Sequence, residues 1–267
     1  MIDMSASVIP FPARSPQIER GGASAAHGRS TTLHPVYYPC FDTVATGAAS
    51  PHPGQLPDPA QGSLVGRPHD DRYRRLAGEA AWQRLPAIVR ERFSRRSSPG
   101  SQVIYRGEVV SMKLSRCGWV LAQLARLAGG PLPYTSNAVG PCVVVVTEDA
   151  ALGGYVWSRS YPCPGSFPQV VHSAKRFSGA TGLEEYLGFG LFMSLTLHEV
   201  GGALVFRSAG YGLEVMGRRM GLPTWLWPGR CEVTHHAETD ERFSFTLTLD
   251  HPRLGRLAHQ VAFFQEA

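Results

Sequence analysis

Two neighbouring runs hold most of the side chains that could do chemistry. Tyr155, Trp157, Arg159 and Tyr161 fall at every second position, so a strand would set one arginine among three aromatics on a single face. Such an arginine either stacks at the mouth of a cavity, where its donor fork pairs with an anionic ligand, or lies along an exposed aromatic patch. In the next run, His172 and Arg176 share one strand face, while Lys175 lies on the other with Gln169 and Phe177. With the first face inside a concave sheet, the cation would keep the imidazole neutral. His172 could then act as a general base, with Arg176 or Arg207 stabilising an oxyanion, as in an isomerase, cyclase or lyase. The plainer alternative is a hydrogen-bonded sheet histidine beside solvated cations.

Other constellations are excluded by spacing. Glu184 and Glu185 are adjacent and diverge on any regular element, so they are not the paired carboxylates of a glycosidase. One of them is expected to pair with Arg176 or Arg207. His235 and His236 would point to opposite strand faces, and the sequence places no further convergent ligands beside them, so no metal is expected. There is no glycine-rich dinucleotide loop between a strand and a helix, hence no expected cofactor, and no Gly-x-Ser-x-Gly elbow.

The elements that must position these residues come in two kinds. Asp71 to Gln83 has Tyr73, Leu76, Ala77, Ala80 and Ala81 at helical spacing, and Leu85-Pro86 restarts a helix through Val89 and Phe93. A strand over Gln102 to Leu114 precedes a helix from Gly118 to Ala128, which Gly129-Gly130 and Pro131 stop. Past Pro141 the period changes to two. Strands are expected at 142–147, 155–161, 191–198, 203–208, 243–250 and 257–264, with Gly201-Gly202 as a hairpin turn. The expected fold is α+β: a strongly curved antiparallel sheet or half-barrel of about eight to ten strands with two helical segments packed on it.

Composition divides the chain near residue 70. Ten of the 21 prolines lie before it, among Gly, Ser, Ala and His, so residues 1–70 are expected to be a disordered tail and 71–267 a single domain. The formal charge of +5 equals the excess of eight arginines over Asp71, Glu79 and Glu91 between residues 71 and 96. One basic helical region is a weak nucleic-acid signal, and no nucleic-acid partner is expected. Five scattered cysteines without a C-x-x-C pair argue against a disulfide framework or a structural zinc. Without a secretory signal or an apolar run long enough to span a bilayer, a cytoplasmic location is expected.

Several longer words carry a resemblance: Tyr105-Arg106-Gly107, Pro168-Gln169-Val170-Val171-His172-Ser173, Lys175-Arg176-Phe177, Thr181-Gly182-Leu183-Glu184-Glu185-Tyr186, Phe206-Arg207-Ser208, and Leu222-Pro223 to Pro228-Gly229. From about Asp71 onward the chain resembles a bacterial domain family of unknown function, of the DUF4166 type. Members are often fused to proteins like saccharopine dehydrogenase or short-chain dehydrogenases. The resemblance implies a role beside a redox step, with a nicotinamide-dependent oxidoreductase as a possible partner docking on the basic helices. The residues themselves favour a binding domain for a small, partly apolar, anionic molecule. Trp157, Tyr161, Phe206 and Tyr211 would form its walls, and Arg159, Arg176 and Arg207 its charge anchors.

Overall fold

The computed structural model describes residues 69–96, 101–128, 132–135, 138–149, 153–163 and 165–267. The disordered tail expected over residues 1–70 therefore lies, up to residue 68, outside the described residues. Asp70 is not part of any tail, because it is buried against the barrel described next.

Alternation in sequence becomes alternation in space. Strands β1 (Gln102–Leu114), β2 (Gly140–Asp149), β3 (Gly154–Tyr161), β4 (Gln169–Arg176), β5 (Glu184–Gly188), β6 (Leu191–Val200) and β7 (Ala203–Val215) pair antiparallel in succession. After the short β8 (Arg218–Gly221), the meander continues through β9 (Arg230–Ala237), β10 (Arg242–His251) and β11 (Gly255–Glu266). β11 then pairs with β1, and β9 pairs with β7, so ten strands form a closed ring with β8 outside it. The expected half-barrel is thus a closed barrel, and the molecule is mostly β rather than evenly α+β. Local alternation sets strand number and neighbours, but whether the first and last strands meet depends on accumulated twist, which no short segment encodes. Closure leaves no strand of the ring with a wholly unpaired edge, although β4 and β5 pair only through Ala174–Arg176.

Two irregularities shape the wall. β7 pairs with β9 only through Leu204–Arg207, and its far half pairs with β8 instead, so β7 and β9 splay apart there. A bulge at Ala209 shifts the register between Ser194–Gly210 and Leu195–Ser208. That extra residue reverses the alternation, so Phe206 and Tyr211 both face inward despite their odd spacing.

One end of the barrel is closed by α1 (Arg72–Ala77), α2 (Glu79–Arg84) and α3 (Ala87–Ser94), with Gly78 dividing the single helix expected over Asp71 to Gln83. Tyr73, Trp82, Leu85, Val89 and Phe93 are buried. The Tyr73 ring lies edge-on to Phe93, Phe177 and Phe206 at 5.2, 4.9 and 6.2 Å. Asp70 ties this plug to the wall by accepting from Arg72 Nε and Nη2 (2.8 and 2.7 Å) and from the Tyr155 hydroxyl (2.9 Å). Burial alone would raise the Asp70 carboxyl, but these bonds outweigh it and hold the group below its usual range.

The same plug accounts for most of the arginines that concentrate charge in the sequence. Arg74 pairs with Glu79, Arg84 with Glu199, Arg95 with Glu91 and Glu266, and Arg96 with Glu148. Arg92 lies 4.0 Å over the Phe243 ring and 3.1 Å from His235 Nε2. Arg84, Arg92, Arg95 and Arg96 thus fasten the helical segment to strands, which sequence distance concealed.

At the opposite end α4 (Arg116–Ala125) follows β1, continued by a short turn of 3₁₀ helix, Arg126–Ala128. The Ser115 hydroxyl caps it by accepting from the Gly118 N–H at 3.0 Å. Gly118 lets the helix lie on β11, since a Cβ there would come within 1.9 Å of the Leu257 carbonyl oxygen.

Candidate functional site

The inward faces of the strands do not fill the barrel. They enclose a cavity of about 590 Å³, within the range of small-molecule sites. Its wall is largely apolar, from Val144, Val171, Met193, Leu195, Phe245 and Leu247 among others, and α4 contributes Leu121 and Leu124. Trp225, Leu226 and Trp227 enter it from the segment between β8 and β9, where β7 and β9 part.

Three charged side chains interrupt this surface. Lys175 Nζ donates to Glu185 Oε2 at 2.6 Å, and both side chains are more than 90% buried. The Ser173 hydroxyl donates to the other Glu185 oxygen and accepts from Arg159 Nη1 at 2.9 Å, while Arg159 Nη2 stands 3.7 Å from the same carboxylate. Lys175 Nζ sits 5.1 Å from the Trp157 and Phe206 ring centroids, and the Arg159 guanidinium 5.7 Å from that of Trp157. Burial by itself would raise the Glu185 carboxyl, but the charges of Lys175 and Arg159 outweigh it and hold the group below its usual range. Glu185 is therefore ionised at neutral pH. Two cations against one carboxylate leave the cavity one positive charge in excess.

Alternation explains how the cluster forms. Arg159 in β3, Ser173 and Lys175 in β4 and Glu185 in β5 occupy inward positions on three consecutive strands, with Lys175 directly opposite Glu185. The Trp157 indole nitrogen, in the same wall, is buried with no hydrogen-bond partner among the described residues.

Of the expected ligand-binding residues, Trp157, Arg159, Tyr161, Phe206 and Tyr211 line this cavity together. Tyr211 also donates to the Gly229 carbonyl at 2.9 Å, tying the β8–β9 segment to the wall. Arg176 and Arg207 require correction, because both face outward. Arg176 stacks 3.8 Å over Tyr186, and Arg207 pairs with Glu232 at 2.8 Å. His172 also lies on the outer face, exposed, with Nδ1 2.9 Å from the Ser158 hydroxyl. The condition for a catalytic His172, that it line a cavity beside a cation, is not met. The parity of β4 decides this: the buried face is that of Gln169, Val171, Ser173 and Lys175, not that of His172 and Arg176.

The glutamates diverge as expected, but with other partners. Glu185 turns inward to Lys175 and Arg159, and Glu184 turns outward to Arg219 and Ser178. Lys175, Ser173 and Glu185 are the site residues that the sequence reading did not assign. Their signal was their shared parity with Val171 and, across the β4–β5 turn, with Leu187.

The two buried cysteines are poor nucleophiles. Burial pushes the Cys142 thiol up to about 11 and that of Cys231 to about 12. Among the described residues no group of His, Cys, Asp and Glu side chains converges as a metal site. His235 is fully buried, stacked 4.9 Å from Phe243, and burial together with the Arg92 charge pushes it down to about 3.

No curated protein and no solved structure matches the chain. A family model matches residues 85–264, from the start of the third plug helix to the last strand of the ring. With more than half of its length inside that match, the chain belongs to the family described as a domain of unknown function, DUF4166.

Proposed function

We propose that the barrel is a binding protein for a small amphiphile with a largely apolar body and one anionic group, held in the cavity with the acid against Arg159. The observation that carries this reading is the single excess positive charge inside an otherwise apolar cavity of about 590 Å³. Removing an anion from water is unfavourable unless charge and donors receive it. Arg159 offers that reception. One of its donors engages Ser173 and another stands 3.7 Å from Glu185, so its fork is less committed than the Lys175 ammonium. The Trp157 N–H supplies a second donor in the same wall. Apolar body and charged group would then each find a matching surface, as in other small-molecule sites.

The test is a titration of the full chain with a fluorescent long-chain fatty acid and with its methyl ester. The acid should bind more tightly than the ester. Arg159→Met should remove that preference, weakening the acid by roughly 10- to 100-fold, the worth of a charge-assisted hydrogen bond. Arg207→Ala, on the outer face, should change neither. Equal affinity for acid and ester in the unaltered protein would overturn the reading.

A further inference from the structure

The open end of the barrel is built to touch something apolar. The most exposed large hydrophobic side chains among the described residues gather there. Met216 is 99% exposed, Phe167 91%, Leu127 80%, and Phe189 and Trp225 77% each. They sit on the β7–β8 hairpin, the β3–β4 connection, the turn after α4, the β5–β6 hairpin and the β8–β9 segment, all at one end of the ring. Leu254, on the β10–β11 hairpin, completes the set and also lines the cavity mouth. At the plugged end the corresponding positions among the described residues are polar or small, with Ile104 and Val200 as the exceptions.

Two of these tips carry a second mark. Phe189 and Met216 both have φ of 50°, each followed by a glycine of positive φ, which is the backbone of a two-residue hairpin turn that favours Asn or Gly. The chain meets the same requirement at the plugged end with Gly201-Gly202, at φ 58° and 81°. At the open end it places a bulky apolar side chain in a conformation that such residues rarely adopt, and directs it into solvent. Strain and exposure coincide twice on one surface and oppose stability both times, which points to selection for contact rather than for folding.

Charge identifies the contact. The hairpins, α4 and the strand ends of this surface carry Lys113, Arg116, Arg126, Arg218, Arg230 and Arg253, all exposed. Their acidic residues are Glu214, 3.7 Å from the Arg219 that also pairs with Glu184, and Asp250, paired with Arg256. An apolar crown inside a basic rim matches the surface of an anionic bilayer, with the tips entering the acyl boundary and the cations at the headgroups. From these features we infer that the open end docks on anionic lipid membranes, which would place the cavity mouth against the lipid. The docking is independent of what occupies the cavity.

The experiment is flotation of the full chain with phosphatidylcholine vesicles, with and without phosphatidylglycerol, at low and raised salt. The chain should float with the anionic vesicles and less so as salt rises. Phe189→Asn/Met216→Asn suits the turns better than the residues it replaces, so the variant should keep or raise its melting temperature. Its vesicle binding should nevertheless fall by about tenfold for each tip. Absence of flotation with anionic vesicles at low salt overturns the inference, as does equal flotation by a folded double variant. Failure to float combined with a dimer that the double variant abolishes also overturns it, assigning the surface to a second copy of the chain. The fatty-acid titration is read separately, so cavity binding without flotation refutes the docking alone.

Discussion

Replacing Lys175 by methionine tests the interior cluster most directly. The substitution keeps an unbranched apolar side chain of nearly the same length and removes the ammonium group with its charge and donors. Glu185 would then face the interior with Ser173 and with Arg159 at 3.7 Å. Breaking a buried ion pair by removing one partner costs about 3–5 kcal/mol, because the other charge stays desolvated. Arg159 offsets part of that, so the lower end, about 3 kcal/mol, is expected. For a domain of this size that is a fall in melting temperature of about 6–12 °C. Glu185→Gln should cost a similar amount, since it leaves Lys175 and Arg159 as neighbouring cations. The double variant retains one cation, Arg159, as the sole interior charge and should be more stable than the sum of the single effects implies, by about 2 kcal/mol. Urea denaturation of the four proteins closes the cycle. Because the Glu185 pKa is lowered on folding, its contribution is present above the 4.5 of a free glutamate and lost as pH falls through the lower folded value. The penalty of Lys175→Met should accordingly shrink in acid. Single effects below about 1 kcal/mol that simply add would show a pair solvated like one on the surface, and would refute a dry, charge-selective cavity.

Three further expectations follow from the plug and the core. His235 is held down to about 3 against an ordinary 6.5, so the unfolded chain binds the extra proton below pH 6.5. Stability should fall by about 1.4 kcal/mol per pH unit from there toward 3, and His235→Gln should flatten that slope in urea midpoints. Asp70→Asn weakens the charge-assisted bonds from Arg72 and keeps an acceptor for Tyr155. It should cost about 1.5–3 kcal/mol by thermal denaturation, a loss that vanishes in acid, where the wild-type carboxyl is itself protonated. Trp82→Ala, which empties a buried position under the plug, should cost about 3–5 kcal/mol and loosen protease resistance at the helical end before the strands.

The sequence reading located the strands well because amphipathic alternation is local. β1 runs from Gln102 to Leu114 as expected, and Gly201-Gly202 turns β6 into β7. The aromatic face of β3 is legible too: Trp157, Arg159 and Tyr161 line the cavity, while Tyr155 of the same face bonds Asp70 instead. Alternation leaves the inward face of β4 open, because His172 with Arg176 and Ser173 with Lys175 are equally plausible pairs until the curvature of the sheet is known; the plainer expectation, a hydrogen-bonded sheet histidine, is the one met. A buried lysine looks no different from a solvated one in sequence, and its partner Glu185 becomes visible only through the β4–β5 register. Arg207 and Phe206 cannot both face the pocket, because neighbouring strand positions face opposite ways. The basic helices misled in a similar manner. Their arginines fasten the plug, while the exposed cations that could meet a partner are scattered over six segments at the other end, where no window along the chain gathers them.

The pairing of β1 with β11 also fixes when the molecule can form. During synthesis the plug helices precede every strand of the ring, with Tyr73 and Phe93 uncovered, since Phe206, in β7, is made more than a hundred residues later. The first strand likewise waits for the last, and even the Ala267 N–H reaches back to the Ile104 carbonyl, at 2.9 Å. A nascent chain therefore lacks one wall of its ring until β11 has been made, and the barrel cannot close before then. Folding of this kind is dominated by distant contacts and is slow. During that interval the apolar faces of the strands already made remain open to chaperones and to aggregation.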